Sequence, residues 1–87
     1  ERMEAPRLYR ELAAMAQAIE NGALNYVELE QNAIAQLSQA GWQVDYIEVR
    51  HAANLQVAHA GDKHIVIVAA ARLGRTRLID NIEVVLA

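Results

Sequence analysis

The spacing of the apolar residues changes at Trp42, and this change divides the chain into a helical half and a sheet half. Before Trp42, four large apolar residues recur at intervals of four, three and four positions, which places them on one side of a helix. They are Leu8, Leu12, Met15 and Ile19. After Trp42, the segment Val44–Arg50 is rich in β-branched and aromatic residues in partial alternation, as in a strand.

Both predicted helices have recognisable ends. Pro6 suits a first helical turn, and Asn21-Gly22 suits a helix end because glycine accepts the left-handed conformation found there. Asn25 is a suitable cap for the second helix, with Glu28 three positions later as in a capping box, and Ala40-Gly41 closes it. Two helices joined by so short a turn predict an antiparallel pair.

Two more strands are predicted after the first. The run His64–Ala71 is almost wholly apolar, which is typical of a central strand covered on both faces, and Thr76–Val85 is the third strand. Between them, Leu73–Thr76 predicts a two-residue hairpin of type II′, with Gly74 at the first central position. The segment Ala52–Lys63 is too long for a tight hairpin, and we expect a loop with a short turn of helix at Asn54-Leu55.

Length and composition limit the chain to one domain of the α+β class, covering residues 1–87. Its 87 residues carry a single hydrophobic core, since a second would need about 50 more residues. We expect the order α-α-β-β-β, with two antiparallel helices on one face of a three-stranded antiparallel sheet. Because the chain begins with Glu1 rather than Met, we also expect it to be a fragment of a longer protein.

Charge and cysteine content argue against several classes of protein. The net charge of −3 disfavours a nucleic-acid partner, and the absence of cysteine excludes disulfides and thiolate metal sites. The longest apolar run, Ile65–Ala71, is too short to span a bilayer. We therefore expect a cytoplasmic protein with no membrane partner.

The three histidines raise the question of a metal site. His59 and His64 are five positions apart, and His51 lies eight before His59. These spacings match neither the helix-borne nor the zinc-finger patterns that bring ligands to one ion. Solvated loop histidines are the preferred interpretation, and we expect no bound metal.

The carboxylates do not form a catalytic pair. Asp45 and Glu48 lie three apart in one strand, so we expect them on opposite faces, where they cannot flank one substrate bond. Asp80 has apolar neighbours in its strand and would need a partner if half-buried. For Asp80, a structural ion pair with an arginine is preferred over an acid–base role.

Three arginines cluster at the predicted hairpin. Arg72 and Arg77 become cross-strand neighbours, and Arg75 lies at the tip. Two like charges facing each other weaken a hairpin unless an anion lies between them. That anion could be Asp80, a carboxylate on another domain, or a phosphate bound by the guanidinium groups. The alternatives are a solvated hairpin end or an edge that docks or binds an anion.

No motif in the chain supplies catalytic chemistry. Its four glycines are isolated, so there is no glycine-rich phosphate loop, and there is no Cys or spaced Ser, His and Asp set for a nucleophile. We assign no catalytic residue to this chain.

Four segments nevertheless resemble one enzyme family. They are Ala5–Tyr9, Val44–Arg50, Ile65–Gly74 and Thr76–Ile82. Together they are similar to the C-terminal domain of the pantothenate synthetases (pantoate–β-alanine ligases), and the stretch Arg77–Asn81 is the most specific part. The resemblance covers essentially the whole chain, which ends where family members end. One departure is His51, where the family more often has Asp.

The resemblance implies a function for the parent protein. Such enzymes use ATP, with Mg²⁺, to convert pantoate to pantoyl adenylate, which β-alanine attacks to give pantothenate and AMP. The implied partner of this chain is an N-terminal Rossmann-like catalytic domain, absent here, over which it closes as a lid in an enzyme expected to be a homodimer. The family's nucleotide-binding motifs belong to that other domain, so no binding residue transfers to this sequence and we expect the fragment alone to be inert.

From charge placement, and not from the resemblance, we expect Arg72, Arg75 and Arg77 to contact the missing domain or the ATP phosphates. Two other interpretations remain. The chain could be a self-standing interaction module that binds a protein through its free sheet face, or a small metal-binding domain built on its histidines.

Overall fold

The structure, a computed structural model, describes residues 5–59 and 61–86. Two helices, α1 (Ala5–Glu20) and α2 (Tyr26–Gln39), precede three strands, β1 (Gln43–His51), β2 (His64–Leu73) and β3 (Thr76–Val85). The strands form one antiparallel sheet in the order β1-β2-β3, with the helices packed on it. The predicted α+β class, element order and central strand are therefore confirmed.

The helix ends follow the predicted local chemistry. Asn25 caps α2, since its Oδ1 accepts a hydrogen bond of 3.1 Å from the Glu28 backbone N–H. At the other end of α2, Gly41 adopts a φ of 95° and the Trp42 N–H donates to the Leu37 carbonyl at 3.0 Å. This places the Trp42 ring in the core, where it is 3% exposed.

The hairpin between β2 and β3 also has the predicted form. Gly74 has a φ of 62°, whereas Arg75 has no positive φ, as a type II′ turn requires. The closing pair is Leu73 and Thr76, so Arg72 lies directly opposite Arg77. The cross-strand neighbours predicted from the turn are thus confirmed.

The hydrophobic core lies between the helices and one face of the sheet. All four residues of the predicted α1 stripe are buried in it. From the sheet, the core receives Ile47 and Val49 of β1, alternate residues of β2 from Ile65 to Ala71, and Val84 of β3. The largest fully buried side chains are Leu8, Leu12, Leu37, Ile65, Ile67 and Val84.

The opposite side of the sheet, which we call the open face, has no helix over it in the described part of the chain. Its residues include Asp45, Tyr46, Glu48 and Arg50 of β1, His64, Val66, Val68, Ala70 and Arg72 of β2, and Arg77, Ile79, Asn81 and Glu83 of β3. Ala70 is 0% exposed even here. Its small side chain lies between Tyr46 and Ile79 on the flanking strands, and these larger residues cover it.

The segment between β1 and β2 folds back along β1. A single turn forms at residues 52–54, as predicted near there, closed by a hydrogen bond of 2.8 Å from Leu55 N–H to the His51 carbonyl. Val57 then forms a bridge with Arg50, and Ala58 N–H donates to the Val49 carbonyl at 3.2 Å. This segment therefore covers part of the outer edge of β1.

Within residues 5–59 and 61–86, no helix has the length and apolar character needed to cross a membrane.

Candidate functional site

Arg72 and Arg77 lie at the hairpin end of the open face, and Arg75 lies at the tip of the adjoining turn; we call these three residues the arginine cluster. A single carboxylate, Asp45 of β1, holds two of its members. Asp45 Oδ2 lies 3.0 Å from Arg77 Nε, in a hydrogen bond, and 3.8 Å from Arg72 Nε. Because the two arginines face each other across β2 and β3, this carboxylate offsets the repulsion between their positive charges.

Asp45 was not among the three anions considered from the sequence. Asp80 is in register with Ala69, whose side chain belongs to the core, so Asp80 faces the helices rather than the open face. The prediction that Asp80 could be the anion between Arg72 and Arg77 is therefore wrong. The anion comes instead from β1, two strands away from Arg77.

A β-bulge in β1 at Asp45 explains why Asp45 and Glu48 lie on the same face as the arginines. Val44 pairs with Ala71 and Tyr46 with Ala70, so Asp45 is an extra residue with no partner in β2. The bulge shifts the alternation by one position after Asp45. Asp45 and Glu48 consequently share the open face, and the prediction that they lie on opposite faces is wrong.

Asp80 makes a local contact at the free edge of the sheet. Its Oδ1 accepts a hydrogen bond of 2.8 Å from Asn81 N–H. The backbone N–H groups of even-numbered residues in β3 point toward β2, as the 2.7 Å hydrogen bond from Leu86 N–H to the Lys63 carbonyl shows at the end of the ladder. The N–H of Asn81, an odd-numbered residue, therefore points away from β2, at the free edge of the sheet. Asp80 thus occupies an edge donor that another strand could otherwise use. Its predicted ion pair with an arginine stays a prediction.

A second carboxylate accepts a backbone hydrogen bond at the opposite edge of the sheet, the outer edge of β1. Glu30 of α2 accepts a hydrogen bond of 2.8 Å from Val49 N–H in β1, a part-buried contact across 19 positions of sequence. Sequence reasoning did not find this contact, because Glu30 looks like any polar residue of an amphipathic helix.

Beside the arginine cluster, the open face is apolar. Tyr46, Ala70 and Ile79 form a row across the three strands. Along β2 and β3, this row lies two residues away from Arg72 and Arg77, on the same face. Tyr46 is half-buried, and Ile79 is 65% exposed. Ile79 is therefore the large apolar side chain that this end of the open face presents to solvent.

The far end of the open face carries charges that are paired. Arg50 contacts Glu48 Oε1 through Nη2 at 2.6 Å and Nε at 3.2 Å, and His64 Nε2 lies 2.7 Å from Glu83 Oε2. The arginine cluster, by contrast, has three positive charges against the single carboxylate of Asp45. Excess positive charge is therefore confined to the hairpin end of this face.

The three histidines make separate contacts and do not come together at one site. His64 pairs with Glu83, His59 donates through its backbone N–H to Asp62 Oδ2 at 2.9 Å, and His51 Nδ1 accepts from Ala53 N–H at 3.3 Å. Among the described residues, no group of three or more His, Cys, Asp or Glu side chains could hold a metal ion. At position 51, where the resembled family more often has Asp, His51 itself supplies an acceptor to the following turn.

A cleft of about 210 Å³ lies away from the open face, between the turn that joins the helices and the loop before β2. Tyr26, the first residue of α2, is buried at this cleft. Burial raises the pKa of its hydroxyl above the ordinary 10.0, and the nearby negative charge of Asp62 raises that pKa further. No sequence pattern had singled out this residue.

Comparison with known proteins places these features in a family. A family model described as pantoate-beta-alanine ligase matches residues 1–83. The pantothenate synthetases of Neisseria meningitidis serogroup C and Chromobacterium violaceum are each 58% identical to this chain over 84 residues. These residues make up 97% of this chain and 30% of each relative, so the chain spans about 30% of the length of the curated relatives it matches.

Solved structures agree with the sequence comparison. Two crystal structures of pantothenate synthetase from Thermus thermophilus superpose with TM-scores of 0.77 and 0.80, at 29% and 28% sequence identity. Each match covers 93% of this chain and 29% of the longer protein. With the family model matched over residues 1–83, the chain belongs to the pantoate–beta-alanine ligase family.

Proposed function

We propose that this chain is the C-terminal domain of an ATP-dependent ligase that joins pantoate and β-alanine to make pantothenate. The observation that carries the proposal is the 58% identity to a pantothenate synthetase along nearly the whole chain. Since the matched part is 30% of that relative, the proposal assigns the catalytic centre to the remainder of the protein.

The proposed reaction has two steps. The pantoate carboxylate attacks the α-phosphorus of ATP, forming pantoyl adenylate and releasing pyrophosphate. The amine of β-alanine then attacks the acyl carbon and loses a proton, forming the amide and releasing AMP. The acyl adenylate is open to hydrolysis, so a domain that closes over it protects the intermediate from water.

We assign the role of closing lid to this domain. Its described residues offer no metal-ligand cluster, and the sequence has no glycine-rich loop for a nucleotide, so Mg²⁺ and ATP would be held mainly elsewhere. The arginine cluster is the part suited to contact either the catalytic domain or the ATP phosphates. As the resemblance implies, the intact enzyme would be a cytoplasmic homodimer that dimerises mainly through its other domain.

Enzymatic assay of the intact protein tests this proposal. The complete reading frame around this chain, once expressed, should release AMP and turn over repeatedly only when both pantoate and β-alanine are supplied with ATP. With ATP and pantoate alone, it should release pyrophosphate only until the enzyme is occupied by the adenylate. The 87-residue chain alone should form neither product and should bind no ATP in calorimetry. If the complete protein makes no pantothenate, the proposed function is wrong.

A protein-interaction module is the second candidate, because the exposed Ile79 on the open face would also suit an external partner. The reading frame upstream of Glu1 discriminates between the two. A start codon immediately before Glu1 favours the module, whereas a long upstream catalytic segment favours the lid.

A further inference from the structure

The open face carries two features at the same end, an excess of positive charge and an apolar row in which Ile79 is 65% exposed, Tyr46 is half-buried and Ala70 is buried. Three of the eight Lys and Arg residues fall within positions 72–77, although the chain as a whole has a net charge of −3. The row of Tyr46, Ala70 and Ile79 is adjacent to them on the same face. The exposed and half-buried members of the two features form what we call the hairpin patch: Tyr46, Arg72, Arg75, Arg77 and Ile79.

We propose that the hairpin patch is the surface on which this domain docks, in the closed enzyme, against an acidic and partly apolar surface of the catalytic domain of the same protein. This inference rests on the proposed function and names the contact through which the lid closes. The occupant is a protein surface of the same polypeptide, and not a nucleotide phosphate or a separate protein.

The chemistry of the patch favours a protein occupant over a phosphate. Asp45 Oδ2 already lies 3.0 Å from Arg77 Nε and 3.8 Å from Arg72 Nε, so a compact phosphate could bind between these arginines only by displacing that carboxylate. An extended protein surface can contact Arg75 and Ile79 beside the pair and leave Asp45 in place. Ile79, at 65% exposure, gains nothing from a phosphate but loses water contact against an apolar surface. Arginine and tyrosine are also enriched where protein surfaces meet.

Side chains of the hairpin patch are also held in position before docking. Asp45 holds Arg77 by a hydrogen bond, and the ladder between β2 and β3 fixes the spacing of Arg72, Arg77 and Ile79. Side chains restrained before contact lose less conformational entropy when they dock. The relatives are more than three times as long as this chain, so the same polypeptide has ample surface to supply the occupant.

Thiol labelling in the complete ligase tests the docking. This chain has no cysteine, so Ile79→Cys would report the hairpin patch, and Val27→Cys on α2 is a matched control, because Ile79 and Val27 are 65% and 64% exposed. Other cysteines of the complete protein would first be replaced. With ATP and pantoate bound, we expect labelling at position 79 to be about tenfold slower than at position 27, as expected for a site covered by about 1.4 kcal/mol of docking free energy.

Charge reversal provides the second arm. In the Ile79→Cys background, Arg75→Glu should restore rapid labelling, because it places negative charge against an acidic surface, while Arg10→Glu on the exposed side of α1 should not. Equal labelling at positions 79 and 27 with both ligands bound would overturn the docking surface. If, in addition, Arg75→Ala raised the KM for ATP, the arginines would be assigned to nucleotide phosphates instead.

The outcomes also separate this inference from the proposed function. A complete protein that makes pantothenate but labels equally at both positions removes only the hairpin patch. A protein that makes no pantothenate removes the proposed ligase activity and, with it, the closed enzyme in which the patch docks.

Discussion

Asp45 and Arg77 are joined by a hydrogen bond of 3.0 Å that spans the sheet from its first strand to its third. The two residues are 32 positions apart, and Nε of Arg72, on the central strand, lies 3.8 Å from the same carboxylate oxygen. Alternation from Val44, which packs against the core, places the Asp45 carboxylate on the open face, and the bulge leaves Asp45 without a partner in β2. The hairpin end is thereby connected to β1 by side chains as well as by backbone.

Removing the Asp45 carboxylate should weaken the sheet modestly. We expect Asp45→Asn to lower the free energy of unfolding by about 0.5–1 kcal/mol, since the pair is partly exposed but its loss leaves Arg72 and Arg77 facing each other. Urea denaturation measures the change. In a double-mutant cycle with Arg77→Gln, the two effects should not add, and the effect of Asp45→Asn should shrink in high salt. Additive, salt-independent effects would contradict this account of the pair.

Loss of the Glu30 contact should cost more. Glu30→Ala leaves the part-buried Val49 N–H without its 2.8 Å acceptor, and we expect a loss of about 1–3 kcal/mol in urea denaturation. Glu30→Gln is the matched control, because its amide oxygen can still accept the bond, and it should recover most of the stability. Hydrogen exchange at the Val49 amide should accelerate in Glu30→Ala more than in Glu30→Gln. Similar stability and exchange in the two variants would count against the assignment.

Tyr26 should make the domain less stable in alkaline solution. Its pKa is raised above 10.0 in the folded chain, first by burial and then by Asp62, so the unfolded chain loses this proton at lower pH than the folded chain does. The stability contributed by neutral Tyr26 is complete below about pH 10 and declines as pH rises toward the folded pKa.

Tyr26→Phe should therefore lose less stability than the original chain between about pH 8 and about pH 11, as measured by urea denaturation. Tyr9→Phe is the control for removing a phenol from the surface, because Tyr9 is 49% exposed. A decline in Tyr26→Phe equal to that of the original chain would show that Tyr26 does not contribute to the alkaline loss.

His51 provides a prediction about its departure from the resembled family. Its Nδ1 accepts from Ala53 N–H at 3.3 Å, which requires the ring proton to be on Nε2. Because a carboxylate can accept the same bond, we expect His51→Asp to be nearly neutral in urea denaturation. His51→Leu, which has no acceptor, should lose about 0.5–1.5 kcal/mol. Equal stability in these two variants would mean that the side-chain acceptor at position 51 does not matter.

Features set by neighbouring residues were predictable from the sequence. The caps at Asn25 and Gly41 and the turn at Gly74 each depend on residues within a few positions, so their chemistry is readable along the chain. The apolar stripe of α1 and the apolar run of β2 likewise report burial through their spacing alone. The caps, the turn and the apolar spacing together predicted the fold class, the order of the elements and the position of Arg72 opposite Arg77.

Tertiary structure alone decided which distant residues meet. The bulge at Asp45 depends on how β1 fits against β2, and it places Asp45 and Glu48 on the same face, whereas opposite faces were predicted. The contact of Glu30 with Val49 depends on where α2 crosses the edge of β1. The sequence by itself determined the elements, because propensity, capping and turn chemistry act over a few residues. The assignment of Asp45 to Arg72 and Arg77 required the assembled sheet, because a shift of one residue in strand register moves a side chain from one face to the other.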